Sequence, residues 1–435
     1  MPAPKITWIS SVERQPWRQR TARASAARAS TLELSGSRHQ AWEGFGGCFN
    51  ELGWIALSGV SKADRQKALD SLFGPDGCRF TRCRMPIGAS DYAAEWYSLN
   101  DTDGDFEMKR FTIERDRRCL VPYIKAAMRI QPKLELFASP WSPPAWLKFP
   151  KVYNHGTLVW QPKYLRAYAL YLLKTVQAYR REGIRIVQLH VQNEPLADQK
   201  FPSCLWTSPQ LRDFIRDHLG PLFAKHNERC EIWLGTLNTD DYSGYVHLAL
   251  ADAKARGFIA GVGFQWAGKG AIQRTAESWP GIRLLQTENE CGDGRNTWDY
   301  AHSIFDLFRH YIDNGVCGYT YWNMVLQPGG RSSWGWPQNA MITADPAAGT
   351  VRWNPEFYVM KHFSRFIEPG AVRLGLRGQW AGNAAAFENP DGSTVLAIAN
   401  PFTDARSLSF GGPWGNVSAT LDARSFNTFV VAGRK

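Results

Sequence analysis

Two stretches of the sequence end on a glutamate where a strand has to stop. Ile186-Val187-Gln188-Leu189-His190-Val191-Gln192-Asn193-Glu194-Pro195 is strand-like until Pro195, which cannot continue a hydrogen-bonded ladder. Ile282-Arg283-Leu284-Leu285-Gln286-Thr287-Glu288 has the same character. With a side-chain period of two, His190, Gln192 and Glu194 share one face, and so do Leu284, Gln286 and Glu288. A pair of carboxyls is what glycosidic cleavage needs: one protonates the departing oxygen, and the other attacks or stabilises the anomeric carbon. The two must differ in environment, because the acid has to keep its proton near neutrality while its partner stays ionised. A single glutamate at a strand end reads more readily as half of a structural ion pair; two on one framework favour chemistry. Glu290 has the same parity as Glu288 and competes with it for the second role.

Such a pair needs a scaffold that brings remote strand ends together. Strand-like runs recur at Trp42 to Phe49, Phe80 to Pro86, Lys133 to Ala138, Ile184 to Val191, Glu231 to Leu237, Gly261 to Trp266, Ile282 to Thr287 and Gly318 to Asn323. Helical spacing follows each of them. In Lys163 to Arg181 the residues Leu165, Tyr168, Ala169, Leu172, Val176 and Tyr179 form one apolar stripe. Single helices are expected over Ser208 to Asn227 and over Tyr242 to Arg256, among others. Eight strands alternating with eight helices predict an α/β fold, a closed (β/α)8 TIM barrel with its active site at the C-terminal ends of the strands. Beyond Phe366 the pattern changes to short strands with turn signals, as at Asn389-Pro390-Asp391-Gly392, which predicts an appended antiparallel β-sandwich-like domain. The expected organisation is a basic segment over 1–30, a strand joining the β domain over 31–40, the catalytic barrel over 41–366 and the C-terminal β domain over 367–435.

Six motifs then occur in order: Gly44-Phe45-Gly46-Gly47, Arg84-Met85-Pro86, Ala138-Ser139-Pro140-Trp141-Ser142-Pro143-Pro144-Ala145-Trp146-Leu147-Lys148, Gln192-Asn193-Glu194-Pro195, Thr287-Glu288 and Tyr321-Trp322-Asn323. Together they resemble glycoside hydrolase family 30, the glucosylceramidase-like family of clan A, from about Trp42 to Phe366. The resemblance implies a retaining double displacement with Glu194 as acid/base and Glu288 as nucleophile. It also implies that Asn193 hydrogen-bonds the sugar 2-OH, that Trp141 and Trp322 wall the sugar, and that Asp101 binds sugar hydroxyls. Asp101 reads equally well as a turn cap. Trp334 and Trp336 fall in a loop that borders the cleft in this family. One departure concerns substrate: the sixth strand ends Gln265-Trp266-Ala267, where glucosylceramidases resemble one another in having His and Tyr around the Trp. Gln265 is placed with the substrate-binding residues, and Ala267 offers no hydroxyl to orient the carboxylates.

Composition agrees with a carbohydrate cleft, since 19 Trp, 15 Tyr and 23 Phe exceed what one core of this size needs and sugar C–H faces stack on such rings. The net charge is +11, with Arg14, Arg18, Arg20, Arg23, Arg28 and Arg38 crowded near the start. No nucleic-acid motif accompanies them, so they read as a solvated basic tail. Eight cysteines without Cys-x-x-Cys spacing predict reduced thiols, and no structural metal or cofactor is expected. His190 reads as a core residue. No apolar run is long enough to span a membrane, and no export signal is seen, which predicts a cytoplasmic protein, or a secreted one where a leader has been removed. The expected function is hydrolysis of a β-linked glycoside, in first place a β-glucoside, glucosylceramidase-like, with β-xylosidase or endo-β-1,6-glucanase/galactanase activity as alternatives. A catalytically silent carbohydrate-binding protein is the alternative from another class.

Overall fold

The computed structural model describes residues 5–25 and 30–433. Eight parallel strands, Gly44–Cys48, Arg82–Ile87, Glu135–Pro140, Ile186–His190, Glu231–Leu237, Ile259–Gln265, Arg283–Glu288 and Gly318–Asn323, close into a barrel in that cyclic order. These are the eight runs read from the sequence, shifted by a few residues at their ends. Glycine lets the first strand approach the second: a Cβ on Gly46 would lie 1.7 Å from the Arg82 carbonyl oxygen. Phe137, Trp233 and Leu285 fill the lumen, and the His190 ring stacks on Trp233 with centroids 4.9 Å apart. Burial pushes the His190 imidazole down to about 3, so it stays neutral, a packed core residue as expected.

Six charged side chains pair off at the opposite, N-terminal mouth. Arg82 pairs with Glu43 at 2.7 Å and Glu135 at 2.6 Å, Arg185 reaches Glu135 at 3.2 Å, and Arg283 pairs with Glu43 and Glu231. These side chains belong to six barrel strands or the residues next to them, so the ring braces the barrel on the face where such residues serve stability.

Helices pack outside. Pro162–Arg181 buries its predicted stripe, Leu165 through Tyr179. The segment expected as one helix from Ser208 runs instead as Ser208–Phe214, a π turn over Ile215–Leu219 and Gly220–Lys225. Pro221 lacks the N–H that a regular helix would use there, and the wider turn absorbs the break. Tyr242 to Arg256 likewise divides, because the Asp252 side chain caps a new turn through the amides of Lys254 and Ala255. Among the described residues, no helix is long and apolar enough to cross a membrane.

Among the described residues, two small sheets of three and two strands lie in the loops around the barrel, and ten further strands form one mostly antiparallel sheet that folds around a second core containing Trp8, Leu32, Leu396, Leu408, Phe410 and Phe429. Leu32–Ala41 pairs with Val372–Arg377, joining the start of the chain to the C-terminal module as expected. The reading of the opening arginines as a solvated tail is corrected. Ile6–Val12 pairs with Ser425–Val431, Gln15–Arg20 pairs with Ile6–Val12, and Arg23–Ser25 extends the other edge. Trp8 is 2% exposed and stacks on Phe429 with centroids 5.1 Å apart. Arg18 and Arg20 converge on Asp422 at 2.8 and 2.6 Å, which neutralises charge that seemed free in the sequence. Arg28 lies outside the described residues. His362, on the helix Pro355–Ser364, ties the two cores together, with its ring nitrogens 2.9 Å from Ser11 Oγ and 2.9 Å from Thr428 Oγ1.

Candidate active site

The C-terminal mouth of the barrel holds a pocket of about 500 Å³ lined by Asp91, Trp141, Glu194, Phe201, Trp266, Glu288, Glu290, Cys291, Tyr300, Trp336 and Gln338, among others. Both sequence-predicted glutamates open into it. Arg84, from the second strand, is fully buried beneath them and organises the site. Its Nη1 donates to Glu288 Oε2 at 2.6 Å and to the Thr287 carbonyl at 3.2 Å. Its Nη2 donates to Asn193 Oδ1 at 2.6 Å and to Ser139 Oγ at 2.8 Å. The guanidinium lies 4.6 Å from the Trp141 ring centroid and 5.4 Å from that of Trp322, and those two indoles stack on each other. Few side chains but arginine combine a planar face with a fork of donors, so the second strand's contribution is chemically specific.

Gln265 completes the frame. Its Nε2 donates to Asn193 Oδ1 at 2.7 Å and to Glu288 Oε2 at 3.1 Å, linking the ends of the fourth, sixth and seventh strands. Asn193 Oδ1 also accepts from Thr236 Oγ1 at 2.9 Å. Three donors on that oxygen fix the amide's orientation, and Asn193 Nδ2 donates to no protein group among the described residues, which leaves it for a substrate oxygen.

The two carboxyls occupy unlike surroundings. Glu288 is held by Arg84 and Gln265, with the Cys291 thiol 3.8 Å from its Oε1. Burial pushes Glu288 up, and the adjoining guanidinium opposes that shift. Glu194 has no side-chain hydrogen bond or ion pair among the described residues. Burial, reinforced by the Glu288 and Asp91 charges, pushes it up to about 8. Glu194 also adopts φ +47, a left-handed conformation that is uncommon for a residue with a side chain. Hydrogen bonds from its own N–H to the Thr236 carbonyl at 3.1 Å, and from the Ala197 N–H to its carbonyl at 2.8 Å, hold the turn. Strain kept in place this way marks a position where side-chain direction matters.

The other expected residues divide. Trp141 and Trp336 line the pocket, while Trp322 is 1% exposed and backs Trp141. Glu290 lines the pocket too but is exposed, and its carboxylate lacks the arginine and amide partners that hold Glu288. Asp101 lies on the exposed rim outside this pocket, where its Oδ1 accepts from Ser98 Oγ at 2.5 Å and from Tyr153 OH at 2.6 Å.

Sequence reasoning missed Asp91. It is 5% exposed, and its Oδ1 has no partner among the described residues. Burial and the Glu288 charge push it up to about 8. The available signal was its place, in Gly88-Ala89-Ser90-Asp91 directly after the second strand, ten residues nearer the barrel than Asp101. Trp266, Cys291 and Tyr300 also went unread as pocket residues. All eight cysteines are free thiols, as expected, and only Cys291 is not buried. Among the described residues there is no cluster of three or more His, Cys, Asp or Glu that could hold a metal ion.

A TIM barrel with two carboxyls of unlike environment at the ends of its fourth and seventh strands has the architecture of a barrel glycosidase. Residues 42–367 match the Glycosyl hydrolase family 30 TIM-barrel domain and residues 370–429 the Glycosyl hydrolase family 30 beta sandwich domain, so the chain belongs to glycosyl hydrolase family 30. It is 30% identical to putative glucosylceramidase 1 of Caenorhabditis elegans, over 84% of this chain and 75% of that protein. It is 27% identical to the endo-1,6-beta-D-glucanase of Neurospora crassa, over 89% of this chain and 84% of that protein. Among solved structures it resembles SrfJ from Salmonella typhimurium, with a TM-score of 0.91 at 27% identity, covering 99% of this chain and all of that one. The chain is a glycoside hydrolase of the β-glycosidase type.

Proposed function

We propose that this enzyme cleaves a β-linked glucoside by retaining double displacement, with Glu194 as acid/base and Glu288 as nucleophile. The observation that carries the reading is the asymmetry of the pair: Glu288 bears an arginine at 2.6 Å and Glu194 bears no cation. In the first step the protonated Glu194 gives its proton to the departing oxygen while the Glu288 carboxylate forms a bond to the anomeric carbon. In the second, the Glu194 carboxylate takes a proton from water, which displaces Glu288 with retention of configuration. Asn193 Nδ2 hydrogen-bonds the sugar beside the reacting carbon, and Trp141 supplies a flat apolar wall. Arg84 opposes the effect of burial on the nucleophile, favouring its ionised form, and aims it.

Of the substrate readings, glucosylceramidase and endo-β-1,6-glucanase are the two supported by the names of relatives. Ala267 counts against the first, because it removes the hydroxyl that glucosylceramidases resemble one another in carrying at this position. The test is turnover of p-nitrophenyl β-glucoside, β-xyloside, β-galactoside and β-fucoside, then of glucosylceramide and β-1,6-glucan, by wild type, Glu194→Gln and Glu288→Gln. Proton NMR of the first-formed sugar reads the anomer. Cleavage with retention, lost by several orders of magnitude in both variants, is the expected result. An inverted product, or a Glu288→Gln variant as active as wild type, would overturn the assignment. Binding without turnover of any substrate would leave the silent carbohydrate-binding protein.

A further inference from the structure

Large apolar side chains exposed on this protein are concentrated on one face. Among the described residues seven are exposed, and five of them, Trp96, Phe149, Trp160, Leu196 and Trp336, lie in loops that follow the second, third, fourth and eighth barrel strands. Trp336 belongs to the pocket just described. Trp96 does not. It is 38% exposed, stacks on Tyr153 at 5.9 Å with 28° between the rings, and meets the edge of Trp334 at 5.0 Å. Trp334 and Trp336 share one short loop, so the platform adjoins the pocket.

Beside this platform sits a carboxylate fixed in place without a cation. Asp101 Oδ1 takes both strong hydrogen bonds, from Ser98 Oγ at 2.5 Å and Tyr153 OH at 2.6 Å. Its Oδ2 has only the Ser98 N–H at 3.3 Å, and Asp101 makes no ion pair among the described residues. Tyr153 therefore does two things: its ring supports Trp96 and its hydroxyl orients Asp101. An exposed indole face next to an oriented, under-used carboxylate oxygen is the complement of a pyranose ring, which offers an apolar C–H face and hydroxyl donors at its edge. A lipid surface fits worse: Asp103 and Glu95 pair with Lys151 and Arg115, which leaves Asp101 as a carboxylate without a cation at the platform, and an exposed carboxylate resists both anionic headgroups and burial in acyl chains.

We infer that Trp96, Tyr153 and Asp101 form a distal sugar subsite, which takes a unit of a β-linked oligosaccharide remote from the bond being cleaved. The inference rests on the glycosidase reading for its substrate class and makes the preferred substrate a chain of several sugars. It also returns Asp101 to carbohydrate binding, at a different place from the one its sequence position suggested.

The test is titration calorimetry of β-1,6-, β-1,4- and β-1,3-linked gluco-oligosaccharides of two to six units into Glu288→Gln protein, which binds without turnover. In one linkage series affinity is expected to rise with chain length. Adding Trp96→Ala should weaken the longest member about tenfold relative to the disaccharide, the scale of one lost aromatic contact. Asp101→Asn should act in the same direction, and Trp96→Phe should restore most of the loss. Affinity that stays flat with length in all three series, or a Trp96→Ala effect equal on short and long members, would overturn the subsite. Trp96-dependent sedimentation with phosphatidylserine vesicles would assign the patch to a lipid surface instead. Hydrolysis of p-nitrophenyl glucoside by wild type together with a flat binding series in Glu288→Gln sinks the subsite alone. A rising series with no hydrolysis of any substrate sinks the glycosidase reading alone.

Discussion

Replacing Arg84 with methionine removes a buried charge and roughly preserves the volume between Trp141 and Trp322. The Glu288 carboxylate, whose side chain is 8% exposed, then loses its cation at 2.6 Å and keeps only the Gln265 amide and the Cys291 thiol. Breaking a buried pair on one side typically costs about 3–5 kcal/mol. Glu288 can limit that cost by taking up a proton. For a carboxyl ordinarily titrating at 4.5 this costs about 3.4 kcal/mol at pH 7 and about 0.7 at pH 5. The sign follows from linkage: the folded variant holds a proton that the unfolded chain releases above its ordinary pKa, so the variant loses stability as pH rises. The Arg84→Met penalty should therefore be larger at pH 7 than at pH 5, by up to about 2.7 kcal/mol. The smaller, pH-independent part is the lost hydrogen bonding to Ser139, Asn193 and the Thr287 carbonyl. Urea unfolding at the two pH values measures it, and the Glu288→Gln background is the control, since no carboxylate remains there to be stranded. An equal penalty at both pH values, or one unchanged in the Glu288→Gln background, would refute the view that Arg84 acts mainly on the charge of Glu288.

On the alkaline side, kcat/KM should fall with a midpoint near about 8 as Glu194 loses its proton, and this limb should vanish in Glu194→Gln assayed with a dinitrophenyl glycoside whose departure needs no acid. Glu290→Gln should cost no more than about tenfold in kcat/KM, against several orders of magnitude for Glu288→Gln, because only Glu288 has the arginine. Gly46→Ala should fail to give soluble barrel, since its Cβ would meet a backbone oxygen rather than a movable side chain; expression and circular dichroism check this. Trp8→Ala should destabilise the β domain by about 3–5 kcal/mol, read from thermal unfolding.

The barrel was legible because each strand–helix unit carries its own signal: a short apolar run, then a stripe such as Leu165 to Tyr179 at helical spacing. The glutamates were legible for a related reason, since parity and Pro195 fix which side chain ends a strand and faces inward. What escaped depends on partners far away in the chain. Ile6–Val12 looks unremarkable until Ser425–Val431 lies beside it, and the charges of Arg18 and Arg20 look free until Asp422 is near. The breaks at Pro221 and Asp252 are local but compete with otherwise helical spacing. Asp91 was passed over for Asp101 because the sequence shows both as loop aspartates. Only packing shows which is buried against Glu288 and which stands on the rim beside Tyr153.

The pairing of Ile6–Val12 with Ser425–Val431 bears on how the molecule is made. Trp8 hydrogen-bonds Asn427 across 419 positions of chain, so its strand leaves the ribosome long before the partner strand does. Entropy penalises so long a closure only logarithmically, but it delays it, and the intervening barrel shortens the span by folding first. Until then a strand carrying an indole has its neighbour Gln15–Arg20 on one side only, and its other edge is open to any chain that offers one. A ribosome stalled after the barrel but before Ser425–Val431 has emerged would thus hold a finished barrel with an unfinished, adhesive seam, and chaperone dependence should concentrate in that interval.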